Sequence, residues 1–358
     1  MIATVLIFCV VAAAVGAAEW GGRLFYRKTF LVPFLSKAIG EYPYGKFIEE
    51  ADPPLYFTVK ENFASPMISI NRFGCRGPEP APDGAKRRVL ALGESNLFGA
   101  KLRRQEDLWS VQMEQRLREN GHTDWEVINA SIPGYNSVQT YWRYLDLVNR
   151  IAPEILLLSL GGNDISQMYV MGEKWTEGAP WSREFIKALE RKAPMAQRIG
   201  TRSCLYFLWR RQSMTKRKGF SGAPGGHDWD RCFKNNFHMA RQIIDDARKR
   251  GITVVLSGIG PAYSLRPTPS DERKLDSIQA NWRENLTGAG AKMVEYGQKL
   301  SGEFADKNGV MGIDFTRPFW EHPQRFVMFH DVFHWNPAGH ELVAEIVYRR
   351  FDEAGLWE

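Results

Sequence analysis

Short apolar runs at residues 89–92 and 155–160, with a strand-like Trp125-Glu126-Val127-Ile128-Asn129 between them, punctuate the first half of the chain, and each gives way within a few positions to a glycine. Runs of this length, ended by glycine and nearly continuous in hydrophobicity, read as strands buried on both faces. Between and after them the apolar spacing changes to that of helices. Residues 106–120 form one amphipathic stretch, stopped by Gly121, and residues 138–149 form another, with Ser137 placed to cap it. Farther on, Phe233, Phe237, Ala240, Ile243, Ile244 and Ala247 fall on one helical face that ends at Gly251. Residues 252–256 then read as a fourth strand, 270–307 as a long helical region and 312–315 as a fifth short strand. Asn336 is a good N-cap and Pro337 a good first helical residue, so a last helix is expected from 337 to about 351. Strand and helix alternate, which predicts an α/β domain with a central parallel sheet flanked by helices.

Two regions stand outside this rhythm. Residues 2–18 carry no charge, and seventeen such residues reach the lower limit of the roughly 17–25 that a spanning helix needs. Gly16, Ala17 and Ala18 suit a signal-peptidase site, but the basic segment that opens a signal peptide is missing, so an uncleaved anchor is preferred. Arg23, Arg27 and Lys28 follow the span and by the positive-inside rule would hold the main domain in the cytoplasm. Residues 37–82 are rich in proline and aromatics and read as an irregular segment wrapped on the body, with 68–77 as a short edge strand and turn. The organisation expected is therefore an anchor or signal segment at 1–22, a wrapping segment at 23–86, and an α/β domain at 87–358 with an insertion at 165–230.

The insertion changes the charge picture. From Trp181 to Lys218 there are eleven basic residues against two acidic, a local +9 in a chain whose net charge is +6. Leu205-Tyr206-Phe207-Leu208-Trp209 lies inside it. A solvated helical cover over one edge of the domain is the plainer reading. Contact with an anionic membrane surface or an acidic polymer is the sharper one. Elsewhere, 44% hydrophobic and 25% charged residues are ordinary for a globular protein, whereas 13% aromatics with twelve tryptophans hint at a surface that meets lipid or sugar. No nucleic-acid-binding signature accompanies the mild positive charge, so no nucleic-acid partner is expected. Cys9, Cys75, Cys204 and Cys232 show no CxxC spacing, which argues against a zinc site and a dense disulfide framework. Pairing of Cys204 with Cys232 stays open. Gly288 and Gly290 lack the rest of a dinucleotide fingerprint.

Candidate chemistry gathers where the first three strands end. Gly93-Glu94-Ser95, Gly134 and Gly161-Gly162-Asn163-Asp164 each follow one strand, so all three arrive at the same sheet edge, where ligands bind in open α/β folds. An Asp331-Val332-Phe333-His334 turn precedes the last helix. A serine hydroxyl needs a base to become a nucleophile, and a histidine oriented by a carboxylate supplies one. Ser95, His334 and Asp331 are thus the catalytic candidates. The backbone N–H groups of Ser95 and Gly134 and the amide of Asn163 are the candidate oxyanion donors. Asp164 is read as a turn residue, and His330 and His340 as surface or packing residues.

These four blocks, in this order, resemble the SGNH/GDSL hydrolases over about residues 68–354. Gly93-Glu94-Ser95 looks like their first block, Gly134 the second, Gly161-Gly162-Asn163-Asp164 the third and Asp331-Val332-Phe333-His334 the last. The resemblance implies a flavodoxin-like three-layer α/β/α fold and hydrolysis or transfer of carboxyl esters, with Ser95 as nucleophile, His334 as base and no metal or organic cofactor. Glu94 departs from the aspartate usual there. Relatives with an N-terminal span commonly act outside the cytoplasmic membrane, which opposes the charge count at 23–28. The expected function is that of a membrane-anchored esterase with an extracytoplasmic catalytic domain, acting on acylated envelope glycan or lipid. O-acyl transfer to an envelope polysaccharide and non-catalytic binding of an acylated glycan are the alternatives.

Overall fold

The computed structural model describes residues 10–18, 20, 44–178, 226–262, 264, 267–278 and 288–358. Its centre is a five-stranded sheet. β3 (Arg87–Leu92) has β4 (Trp125–Asn129) on one side and β5 (Ile155–Leu158) on the other, and β6 (Thr253–Ser257) and β7 (Met311–Ile313) continue outward from β5. All pairings are parallel, with Leu90 opposite both Ile128 and Leu156. This is the doubly wound order in which the first strand lies between the second and third. The order reverses at β3 and β5, whose carboxyl ends, where open α/β sheets bind ligands, lead into the Ser95 and Asn163 turns.

Side chains of β3 alternate between two cores. Leu90 and Leu92 face a layer built on the helices Ser137–Ile151, Gly162–Met171, Trp229–Lys249 and Ala289–Lys299. Val89 and Ala91 face the other layer, built on Trp109–Glu119, Thr316–Glu321 and Pro337–Glu353. Since the sheet is covered on both faces, its strands need no polar alternation, which explains the continuous apolar runs. The α/β/α architecture is as expected, and the strands lie within a few residues of the expected positions.

Several local expectations are corrected. Residues 68–77 form no strand; Asn71 turns the chain by accepting the N–H groups of Phe73 and Cys75 through its side chain, which leaves only isolated bridges such as Ile70 to Arg76. Upstream, β1 (Ile48–Glu50) and β2 (Phe57–Val59) pair antiparallel. Phe47, Phe57, Ile68 and Ile70 pack there with Phe98, Ile132 and Tyr135 in a third core, so this described part of the wrapping segment lies against the body; residues 23–43 lie outside the described residues. The helix expected at 106–120 is a 3-10 turn, Gln105–Asp107, followed by Trp109–Glu119. Asn136, not Ser137, caps the helix Ser137–Ile151, through a capping box with Gln139. Among the described residues, the helical region expected at 270–307 comprises Pro269–Ile278, Ala289–Lys299, a π-helical stretch Leu300–Phe304 and Ala305–Lys307, with Gly288 non-helical and 279–287 outside the described residues.

The insertion expected at 165–230 begins later than expected, because residues 165–171 belong to the core helix Gly162–Met171. The basic stretch 181–218 and Cys204 lie outside the described residues. Cys232 is a buried free thiol. Of the expected span 2–18, residues 10–18 are described, as helix. Among the described residues no helix is long and apolar enough to cross a membrane.

Candidate active site

Gly93 ends β3 and sends the chain into the short helix Ser95–Phe98. A Cβ at Gly93 would stand 3.1 Å from the Ser159 carbonyl oxygen and 2.9 Å from Leu97 Cδ1, so a side chain there would force Leu97 and the Ser159 backbone to shift. Ser95 is the first residue of that helix, half-buried at the sheet edge. Its hydroxyl lies 2.9 Å from His334 Nε2. His334 Nδ1 lies 2.8 Å from Asp331 Oδ2 and 3.0 Å from Oδ1. A carboxylate only accepts, so Nδ1 carries the ring proton and Nε2 is left as the acceptor for the Ser95 hydroxyl. The three residues, up to 239 positions apart in the chain, therefore form one continuous hydrogen-bond relay.

The turn that carries Asp331 and His334 holds itself. Asp331 Oδ1 accepts the backbone N–H groups of Phe333 and His334, each at 2.9 Å, which fixes the carboxylate and folds the turn around it. Asn336 caps the following helix Pro337–Glu353 by accepting from Ala338 and Gly339. Trp335 is buried and donates from Nε1 to the Gly260 carbonyl at 2.8 Å. Burial pushes the Asp331 carboxyl up, but the charges of His334 and Lys101 outweigh it and hold the group well below the usual carboxylate range. Lys101 was not singled out from the sequence. Its ammonium pairs with Asp331 Oδ2.

Asn163 sits on the first turn of the helix Gly162–Met171, and its side-chain nitrogen donates to the Tyr135 carbonyl at 2.9 Å. One amide hydrogen is thereby engaged, orienting the group and leaving the second for a ligand. Gly134 precedes Tyr135 with φ +87, a conformation that favours glycine. Neither the Ser95 nor the Gly134 N–H has a hydrogen-bond partner among the described residues. The segments that carry the three candidate donors adjoin one another, the Ile132 N–H donating to the Gly93 carbonyl and Asn163 to the Tyr135 carbonyl. Gly161, at φ +100, admits no Cβ, which would lie 2.3 Å from the ring of Tyr296.

Beneath these donors lies a buried acidic pair. Asp164 accepts the N–H and hydroxyl of Ser137, at 2.8 and 2.9 Å, and so ties the helix after Gly134 to the helix bearing Asn163. Asp164, expected as a turn residue, is instead a buried residue of the helix Gly162–Met171 that joins two helices. Ser137, which the sequence suggests as a cap, spends its hydroxyl here. Burial pushes the Asp164 carboxyl up to about 6 against those two hydrogen bonds. Glu94 is also buried, and burial pushes its carboxyl up to about 8; the amides of Asn163, Gly162 and Gly161 act against this, while Asp164 adds to it. His340 is fully buried, with Nδ1 3.4 Å from the Trp109 N–H, and burial holds it well below its ordinary range. His330 is half-buried beside the Asp331–His334 turn. Among the described residues no cluster of His, Cys, Asp or Glu could hold a metal ion.

The sequence profile of the GDSL-like Lipase/Acylhydrolase family matches residues 91–342, most of the chain. The chain belongs to that family. It is accordingly an ester hydrolase of the serine type, and the parallel sheet fits the fold of these enzymes. Similar solved structures include the acetyl xylan esterase AlAXEase (18% identity, TM-score 0.43, covering 74% of this chain and 98% of that one). A lipase/acylhydrolase from Enterococcus faecalis is 13% identical, with TM-score 0.43 over 75% of this chain and 96% of its own. The psychrotrophic esterase EstA from Pseudoalteromonas sp. is 15% identical, with TM-score 0.41 over 75% and 98%. Similarity of this degree leaves the assignment to the family profile. No curated protein matches the chain in sequence.

Glu94, which stands where the family has aspartate, yields a test of the buried pair. Its folded pKa lies above the ordinary value of 4.5, so the folded state keeps a proton that the unfolded chain releases. Glu94's contribution to stability is then fully present below about pH 4.5 and is lost as pH rises toward about 8, by at most about 1.4 kcal/mol per pH unit. Glu94→Gln imitates the protonated acid and removes its share of that slope. Urea midpoints from pH 5 to 8 should fall less for the variant than for the wild type, the remainder reflecting Asp164 and other groups. Parallel curves would mean that Glu94 is already ionised in the fold.

Proposed function

We propose that the chain hydrolyses carboxyl esters through a Ser95–His334–Asp331 triad. The observation that carries this reading is the relay from Ser95 Oγ through both nitrogens of His334 to Asp331. In this mechanism Ser95 Oγ attacks the ester carbonyl as His334 Nε2 takes its proton, and Asp331 stabilises the resulting imidazolium. The tetrahedral oxyanion is met by the N–H groups of Ser95 and Gly134 and by the free hydrogen of the Asn163 amide. His334 returns the proton to the departing alkoxide, leaving an acyl group on Ser95. Water then attacks the acyl-enzyme with His334 again as base, and the acid is released with Ser95 restored.

The alcohol is proposed to be an envelope glycan or lipid and the site of action extracytoplasmic. The charge-free residues 2–18 and the basic, aromatic stretch 181–218 support that extension. A fluorophosphonate probe tests the nucleophile, and esters of short and long acyl chains test the reaction. Stoichiometric labelling at Ser95 with release of free acid is expected. Absence of labelling would remove Ser95 as nucleophile. Acyl product appearing only on an added glycan, with no free acid, would replace hydrolysis by transfer.

A further inference from the structure

The segment after the nucleophile grips the acid–base turn at two points. Ser95 Oγ meets His334 Nε2, and six residues later the Lys101 ammonium meets Asp331 Oδ2. The chain between them is fastened from below. Arg76, buried to 1% exposure, donates to the carbonyls of Phe98 at 2.9 Å and Gly99, and its guanidinium lies 4.9 Å from the centre of the Phe98 ring. Leu102 is buried beside Gly99, and Lys101 between them takes φ +75, a left-handed conformation that a lysine rarely adopts. Local backbone strain is thus accepted where it delivers a cation to the carboxylate of the relay.

We propose that Lys101 is a positioning residue of the catalytic machinery. It holds Asp331 against His334 and, by placing a positive charge beside the pair, keeps His334 available as a base at lower pH than a bare Asp–His pair would. This rests on the triad reading above. The physical basis is simple electrostatics. An imidazolium formed at His334 is stabilised by Asp331 and opposed by the Lys101 ammonium, so removing the cation favours protonated His334. Lys101 is 38% exposed and Asp331 15%, so solvent moderates the effect without abolishing it. Among the described residues, other ionisable groups near the pair include His330 on the same turn and His340 on the helix Pro337–Glu353, with Arg76 close enough to disfavour charge on His340. Burial holds His340 well below its ordinary range, so it adds no charge beside the pair.

The test is the pH profile of kcat/KM for a short-chain nitrophenyl ester, measured for wild type, Lys101→Met, Lys101→Arg and Ser95→Ala. Lys101→Met should move the acidic limb up by about half to one pH unit. Lys101→Arg should restore most of that shift. A loss of rate in Lys101→Met with the limb in place would mean a merely structural role and would overturn the proposal. Turnover surviving in Ser95→Ala would overturn the triad itself, a distinct failure. If Lys101→Met is too slow to profile, NMR titration of the His334 ring in Ser95→Ala with and without Lys101→Met reads the same shift. Coincident titrations there would likewise overturn the proposal.

Discussion

Replacing Ser95 by alanine should abolish ester turnover and fluorophosphonate labelling while leaving the fold intact. The hydroxyl touches His334 Nε2, so its removal takes away the attacking atom and one end of the relay. Nothing in the local structure depends on it. Residue 95 is the first position of the helix Ser95–Phe98, where alanine is well tolerated, and the turn is set by Gly93 and by the Phe98 N–H donating to the Glu94 carbonyl at 2.9 Å. Loss of a triad nucleophile costs on the order of 10⁴-fold or more in kcat, with the remainder coming from oxyanion donors and binding. Circular dichroism and thermal melting would establish that the variant is folded, and turnover of a short nitrophenyl ester would measure the loss. A variant that kept more than about a tenth of wild-type turnover could not have lost its nucleophile.

How much of this site could be read from the sequence depends on the distance over which each feature is encoded. Strand ends carry local signals: the apolar run 89–92 and Gly93, or 155–158 and Gly161, announce themselves within a few residues. Since all three such strands are parallel and adjacent, their turns had to share one edge, and the placement of Ser95, Gly134 and Asn163 followed. The Asp331–His334 turn was legible for the same reason, its bonds spanning three residues. What escaped depends on contacts between distant segments. Ser137 looked like a helix cap because serine caps helices, but Asn136 takes that place and Asp164, 27 residues on, claims the Ser137 hydroxyl. Residues 68–77 looked like a short edge strand and turn, yet the Asn71 side chain folds the chain back before a ladder can form. Lys101 bears on Asp331 across 230 residues, and no periodicity or cap signal marks it. Glu94 could be noticed as an unusual acid, though its burial beneath the Asn163 turn could not.

Asp331→Asn should lower kcat by roughly 10³- to 10⁴-fold, and its effect should not add to that of His334→Ala. Both carboxylate oxygens are committed as acceptors: Oδ1 faces the backbone N–H groups of Phe333 and His334, and Oδ2 faces His334 Nδ1 and Lys101. An asparagine in either orientation must turn an NH₂ group toward donors. If the nitrogen replaces Oδ1, the turn loses the acceptor that folds it. If it replaces Oδ2, His334 Nδ1 must give up its proton to accept from the amide, which moves the ring proton to Nε2 where the Ser95 hydroxyl needs an acceptor. The Lys101 ammonium is repelled as well. The variant should therefore regain activity as pH rises only if hydroxide takes over as base, without the wild-type acidic limb. In His334→Ala no imidazole remains to be misoriented, so adding Asp331→Asn should cost little more, and a double-mutant cycle would show a coupling of several kcal/mol. Losses that simply multiplied across the cycle would mean that Asp331 and His334 act independently, and the relay would then be structural rather than catalytic.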